Sequence, residues 1–207
     1  EIILIGLGWV WFINLFNFMD GIDGIAGIEA ISATFFAGLF LYILSPDSSL
    51  VLLHWLLAAS VCGFLVLNFP PAKIFMGDSG SGFLGFMLAA LALASAQVDQ
   101  TMLWVWLTLL GVFIVDATFT LIHRFIRGEK VHEAHRSHAY QFASRKYNSH
   151  LKVTLAVTVI NVVWLAPMAY LIVNDTLNGA LALCIAYLPL LLLAIKFNAG
   201  AEEVKEN

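Results

Sequence analysis

Residues 68–85 read NFPPAKIFMGDSGSGFLG, a polar, glycine-rich interruption between two apolar runs. Pro70 and Pro71 have no backbone donor, so the preceding helix must stop before them. Gly77, Gly80, Gly82 and Gly85 let backbone approach a ligand or another helix closely. Asp78 opens the next apolar run, where a helix start offers free N–H groups and a partial positive charge. A carboxylate at that place serves as a cap. Capping alone asks for neither Lys73 nor the four glycines. The sharper expectation is a membrane-surface site for phosphate and Mg²⁺.

Working outward, the chain around this stretch is that of a membrane protein. Of its 207 residues 61% are hydrophobic and 12% charged, against about a quarter charged in a soluble domain. Seven apolar segments can be drawn, 2–16, 25–44, 51–67, 82–96, 102–122, 151–173 and 177–195. Most approach the roughly 20 residues that span the hydrocarbon core. The expected fold class is all-α, a polytopic helical bundle of about seven transmembrane segments forming one membrane domain over 1–207. The chain begins at Glu1 inside an apolar run, which leads us to expect the C-terminal part of a longer protein. Cys62 and Cys184 sit in apolar runs without metal-type spacing and are expected as small core residues.

Charge assigns the sides. Lys73, Arg124, Arg127, Lys130, Arg136, Arg145, Lys146, Lys152, Lys196 and Lys205 all fall at one set of segment ends, and these are all ten basic residues. The opposite ends read SPDSS, QVDQ and NDTLN. Basic loops stay cytoplasmic, and Trp55, Trp104 and Trp106 fall where the opposite aromatic belt is expected. The basic ends are therefore expected on the cytoplasmic side, with no nucleic-acid partner.

Three polar groups share the basic side. The first, NLFNFMDGIDG, repeats Asn14, Asn17, Asp20 and Asp23 every third residue, a stripe along one side of a helix end. Polar groups at membrane depth are costly and normally face a cavity. The plainer reading is a helix end stopped by Gly21 and Gly24. The second group is the stretch around Asp78. The third is the loop 123–150, which holds five of the six histidines, His123, His132, His135, His138 and His150. Solvated histidines are ordinary, but His135, Arg136 and His138 together suit a diphosphate. Zinc is disfavoured, since no cysteine accompanies them. Asp116, inside the fifth segment, is either functional or an interhelical bond or a pair with Arg124. Glu29, one turn inside the second segment, is expected to reach back to the surface as a structural residue, and His54 is likewise structural.

These blocks resemble the polyprenyl-phosphate N-acetylhexosamine-1-phosphate transferase family. NLFNFMDGIDGIAG is similar to its Asn-x-x-Asp-Gly-x-Asp-Gly-Leu-Ala block, NFPPAKIFMGDSGSGFLG to its Phe-Met-Gly-Asp-x-Gly-Ser block, and AHRSHAYQ occupies the place of its histidine loop. The resemblance implies a Mg²⁺-dependent, multi-pass enzyme of the bacterial plasma (inner) membrane with its active site cytoplasmic. Such an enzyme moves a sugar 1-phosphate from a UDP-N-acetylhexosamine to a polyprenyl phosphate lipid and releases UMP, and a homodimer is compatible with it. It implies that Asp78 holds Mg²⁺. Asp20 and Asp23 lie near the uracil with Asn17 in the same pocket, Phe75 stacks on the base, and His138 belongs to the loop block. Lys73, Arg136 and His138 stabilise charge on the diphosphate. Tyr140 and Gln141 stand where many members have further histidines, which points to the O-antigen initiating branch over the muramoyl-pentapeptide branch. The family's adjacent Asp-Asp pair is absent, so the chain alone is expected to be inactive.

Two other classes compete. An intramembrane aspartyl protease needs Gly where Phe75 stands and a Tyr-Asp partner that the sequence lacks. An ion-coupled transporter would use Asp116 and broken helices, but has no need of a one-sided basic loop.

Overall fold

The computed structural model describes residues 2–130 and 136–202, with side chains from residue 6 onward. His132, His135 and Lys205 lie outside the described residues. The described chain is helical throughout: α1 (Ile2–Met19), α2 (Ile25–Leu44), α3 (Leu50–Asn68), α4 (Gly77–Val98), α5 (Thr101–Leu109), α6 (Gly111–Ile126), α7 (Ala139–Tyr147), α8 (His150–Ile160), a π-helical turn (Asn161–Leu165), α9 (Ala166–Val173) and α10 (Gly179–Lys196). It is an all-α, multi-pass membrane bundle. Five helices are long and apolar enough to cross a membrane, counting His150–Val173 as one. A sixth span follows if α5 and α6, bent by 70° at Leu110, are taken together. The segment expected at 102–122 is thus not one straight helix. The first expected segment is a shorter apolar helix over Gly6–Met19, and 123–126 of the expected loop 123–150 belong to α6.

Each interruption has a local cause. α3 ends at Asn68, with Phe69 extended and a cis bond between Pro70 and Pro71. Pro167 cannot donate to the preceding turn, and the helix widens into the π turn just ahead of it. At the α5–α6 break, Gly111 lets α10 come close, since a Cβ there would lie 3.1 Å from Tyr187 and 3.2 Å from Leu190.

The outside is coated with large apolar side chains, including Leu52, Leu56, Val66, Leu188 and Leu192, as a lipid-facing surface requires. Cys62 and Cys184 are on this exposed surface and not in the core. Trp55 and Trp104 are partly exposed, but Trp106 is buried and donates its indole N–H to Ser95 at 2.9 Å. It is a core residue and no part of an aromatic belt. Glu29 does not reach the surface either. It is fully buried between helices and accepts from Asn161 Nδ2 at 2.7 Å, because the π turn aims Asn161 inward.

α1 packs along α4 where Gly85 faces α1 backbone: a Cβ at Gly85 would lie 2.6 Å from the Phe12 carbonyl and 3.0 Å from Ile13 Cα. Backbone cannot give way as a side chain does. Gly85→Ala is expected to cost about 1–3 kcal/mol and to lower the thermal midpoint by several degrees. An unchanged midpoint would show that α1 and α4 do not touch there.

Candidate functional site

The polar groups expected on one side do meet at one end of the bundle, and buried hydrogen bonds hold their loops. Asn68, the last residue of α3, is 3% exposed. Its Oδ1 accepts from Gly24 N at 3.1 Å and its Nδ2 donates to the Ile74 carbonyl at 2.9 Å. Gly24 has φ of +75°, a turn that favours glycine. Asp23 makes a second tie. Its Oδ2 accepts from Ala72 N at 3.1 Å, its Oδ1 lies 3.2 Å from His150 Nδ1, and its carbonyl accepts from Thr154 at 2.8 Å. Together these fasten the loop after α1 to the loop 69–76 and to α8. The stripe expected from Asn14, Asn17, Asp20 and Asp23 therefore splits. α1 ends at Met19, so the last two sit in a loop, and Asp23 turns away to join loops.

Asp20, half-buried in the same loop, lies within electrostatic reach of Asp78. Burial, and then the charge of Asp78, push its carboxyl up to about 7. Asp78 is exposed in the first turn of α4, whose N-cap is Met76, and no side-chain bond caps the helix. Asn17 donates to Ser81 Oγ at 3.3 Å, and Ser81 Oγ donates to the Asp78 carbonyl at 3.4 Å. α1 and the start of α4 are thereby joined beside the two acids. Lys73 and Phe75 project from the same loop, and Phe75 is 78% exposed. Two carboxylates close enough to repel, one of them half-buried, make a hard-oxygen donor pair. That fits Mg²⁺, which takes one or two protein carboxylates and leaves its other positions to water and phosphate. Among the described residues no group of three or more His, Cys, Asp or Glu is placed to hold a metal.

The Asp20 shift has a direction in pH. In the unfolded chain this carboxyl loses its proton near 3.8, and in the fold near 7. The stability it contributes is complete below about 4 and is lost as pH rises through about 7. In metal-free buffer the thermal midpoint is expected to fall between pH 5 and pH 8, and Asp20→Asn to flatten that fall. An equal slope in the variant would contradict the assignment.

Asp116 explains how the third group is held. Buried in α6, it accepts from Ala139 N at 2.9 Å and Tyr140 N at 3.0 Å, and from Thr120 Oγ1 at 3.2 Å. His138 Nδ1 lies 3.3 Å away. A carboxylate on α6 thus closes the N-terminus of α7 from outside that helix. Arg124 pairs with Glu129 at 2.8 Å and not with Asp116. His138 is 1% exposed, stacks between Phe18 and Tyr140, and is the N-cap of α7, with Gln141 completing the capping box. Arg136 is exposed. The expected charge cluster is therefore divided: Arg136 faces out, His138 faces into the protein, and His135 lies outside the described residues. Tyr140 donates its hydroxyl to the Phe18 carbonyl at 3.0 Å, which seats α7 beside Asp20. Sequence reading passed over Asn68 and Ser81, and took Tyr140 and Gln141 only as departures from the loop block without their part in seating α7. For Asn68 a signal existed, an amide ending an apolar run just before Pro-Pro.

Residues 1–96 match the family model described as Glycosyl transferase family 4. A probable undecaprenyl-phosphate N-acetylglucosaminyl 1-phosphate transferase of Bacillus subtilis (strain 168) is 33% identical over 155 residues, covering 73% of this chain and 42% of that protein. A phospho-N-acetylmuramoyl-pentapeptide-transferase of Wolbachia pipientis wMel is 37% identical over 109 residues, covering 53% of this chain and 32% of that protein. One of Streptococcus pneumoniae serotype 2 is 36% identical over 121 residues, covering 58% and 35%. The chain spans less than half the length of these relatives.

Proposed function

The stretch 1–96 belongs to glycosyl transferase family 4, and from that premise we propose that the chain carries the nucleotide-sugar half of a polyprenyl-phosphate sugar-1-phosphate transferase. The observation that carries the reading is the Asp20–Asp78 pair, where two separate sequence blocks meet as neighbouring carboxylates. An oxygen of the lipid phosphate attacks the sugar-bearing phosphorus of a UDP-N-acetylhexosamine. The bond from that phosphorus to the bridging oxygen breaks, and UMP leaves with the electron pair. Phosphoryl transfer of this kind depends on positioning and charge neutralisation. Mg²⁺, held by Asp78 with Asp20 beside it, supplies that neutralisation when bound. Lys73 and Arg136, both exposed, neutralise diphosphate oxygens. Phe75 stacks on the uracil while Asn17 reads its edge. Asp23 and His138 act one step back, by fixing the loops that carry these groups.

Within the family we assign the chain to initiation of O-antigen or related cell-envelope polysaccharide. Tyr140 and Gln141, which replace histidines of the loop block, favour this branch, because here they serve to seat α7. A muramoyl-pentapeptide substrate is the second reading, favoured by the relatives that carry that name. The test supplies the full-length transferase with Mg²⁺, polyprenyl phosphate and either UDP-N-acetylglucosamine or UDP-N-acetylmuramoyl-pentapeptide, and measures UMP. Release with the first donor alone supports the assignment. Release with the second alone reverses the branch, and release with neither, in a folded enzyme, refutes the reaction.

A further inference from the structure

A second cavity, of about 630 Å³, is lined along α7 by Ala139, Tyr140, Ala143 and Tyr147, and neither Asp20 nor Asp78 is in its lining. It is within the roughly 300–1,000 Å³ typical of ligand pockets. α10 packs against α6 and α9, and between α10 and α8 the cavity opens. Val157 and Ile160 of α8, Leu190 and Leu193 of α10, and Val112 of α6 line it. From Lys152 to Ile160 the groove runs along eight residue steps of α8, about 12 Å by helix rise. One leaflet of hydrocarbon is about 15 Å deep, so the groove has the depth of one acyl layer.

Its mouth is cationic. Lys152 and Lys196 line it, and the ammonium groups of Lys196 and Lys146 lie 5.9 Å and 5.8 Å from the centre of the Phe197 ring, which also lines it. All three lysines are exposed. Among the described residues Asp116 is the only carboxylate in the lining, and backbone and side-chain donors already occupy it. An apolar slot one leaflet deep under a ring of lysines matches an amphiphile with an anionic head.

We propose that this groove binds an anionic glycerophospholipid from the leaflet on the basic side. It is separate from the acid pair. His150 and Lys152 are two residues apart in the first turn of α8 and so point to opposite sides, His150 to Asp23 and Lys152 into the groove. The phosphate of a lipid in the groove is bound by Lys152 and Lys196, and its chains cover Val157, Ile160 and Leu193. A lipid seated there also props α7 from below through Ala143 and Tyr147.

The test is native mass spectrometry of the full-length transferase in micelles doped with phosphatidylglycerol or with phosphatidylcholine of the same acyl chains. Phosphatidylglycerol is expected to be retained at least tenfold better. Each lysine near an anionic headgroup is worth roughly fivefold, so Lys152→Gln with Lys196→Gln brings the two lipids within about twofold. Ala156→Trp, which fills the groove and leaves the lysines in place, is expected to reduce retention of both lipids. Far-UV circular dichroism checks that each variant is folded. Equal retention of the two lipids, or a lysine variant that keeps the preference, overturns the proposal. Displacement of phosphatidylglycerol by equimolar polyprenyl phosphate also overturns it, by giving the groove to the acceptor.

Discussion

Asp78→Asn is expected to lower kcat/KM of the full-length transferase at least a hundredfold while leaving insertion and thermal midpoint unchanged. Asp78 is exposed in the first turn of α4 and caps nothing with its side chain, so an isosteric amide takes no fold contact away. What it removes is the negative charge opposite Asp20. Loss of one electrostatic group at a reacting phosphoryl centre costs about 10²–10³ in rate. The same change withdraws one of the two causes that hold the Asp20 carboxyl near 7. The neighbour's pKa should therefore move down while burial keeps it above the ordinary value. UMP release measures the first effect, and an NMR titration of the Asp20 carboxyl in metal-free buffer measures the second. Near-normal turnover would remove Asp78 from the chemistry.

Asp116→Ala is expected to destabilise the protein more than any other single change at this end. It strips acceptors from the buried amides of Ala139 and Tyr140 and from Thr120, and leaves His138 without its carboxylate. A buried group left without its partner costs about 1–3 kcal/mol, and breaking a buried charged arrangement about 3–5 kcal/mol. At roughly 2–4 °C per kcal/mol for a chain of this size, the thermal midpoint should fall by about 10 °C. Cleavage by trypsin at Arg145 and Lys146 should rise as α7 detaches. Asp116→Asn keeps the volume but aims an amide NH₂ at a backbone N–H, so it repairs only one side. Full stability in Asp116→Asn would show that the charge is not what holds α7.

Hydropathy and charge made the bundle legible, because lipid requires long apolar helices and tolerates few exceptions. That the blocks holding Asp20 and Asp78 share one side was legible too, since both fall at segment ends on the basic side, but their closeness to each other was not. Other features depended on long-range geometry. Segment 102–122 reads as uniformly apolar, and its 70° bend at Leu110 depends on how α10 packs against Gly111. Asp116 looked like an isolated buried acid because its partners are backbone amides more than twenty residues away. Asp23 matched the spacing of Asp20, yet the turn at Gly24 sends it to Ala72 and His150. Asn68 looked like an ordinary helix end, although both ends of its amide join separate loops.

Side-specific labelling in sealed vesicles tests the central claim, that one rim of the bundle gathers the reacting groups. With Cys62 and Cys184 replaced by serine, single cysteines go in at Lys73, Phe75 and Arg136, and at Asp47 and Asp175 for the far rim, all of them exposed positions. An impermeant thiol reagent should reach the first three from one side of the membrane and the last two from the other. Labelling of Phe75 and Arg136 from opposite sides would contradict a shared site.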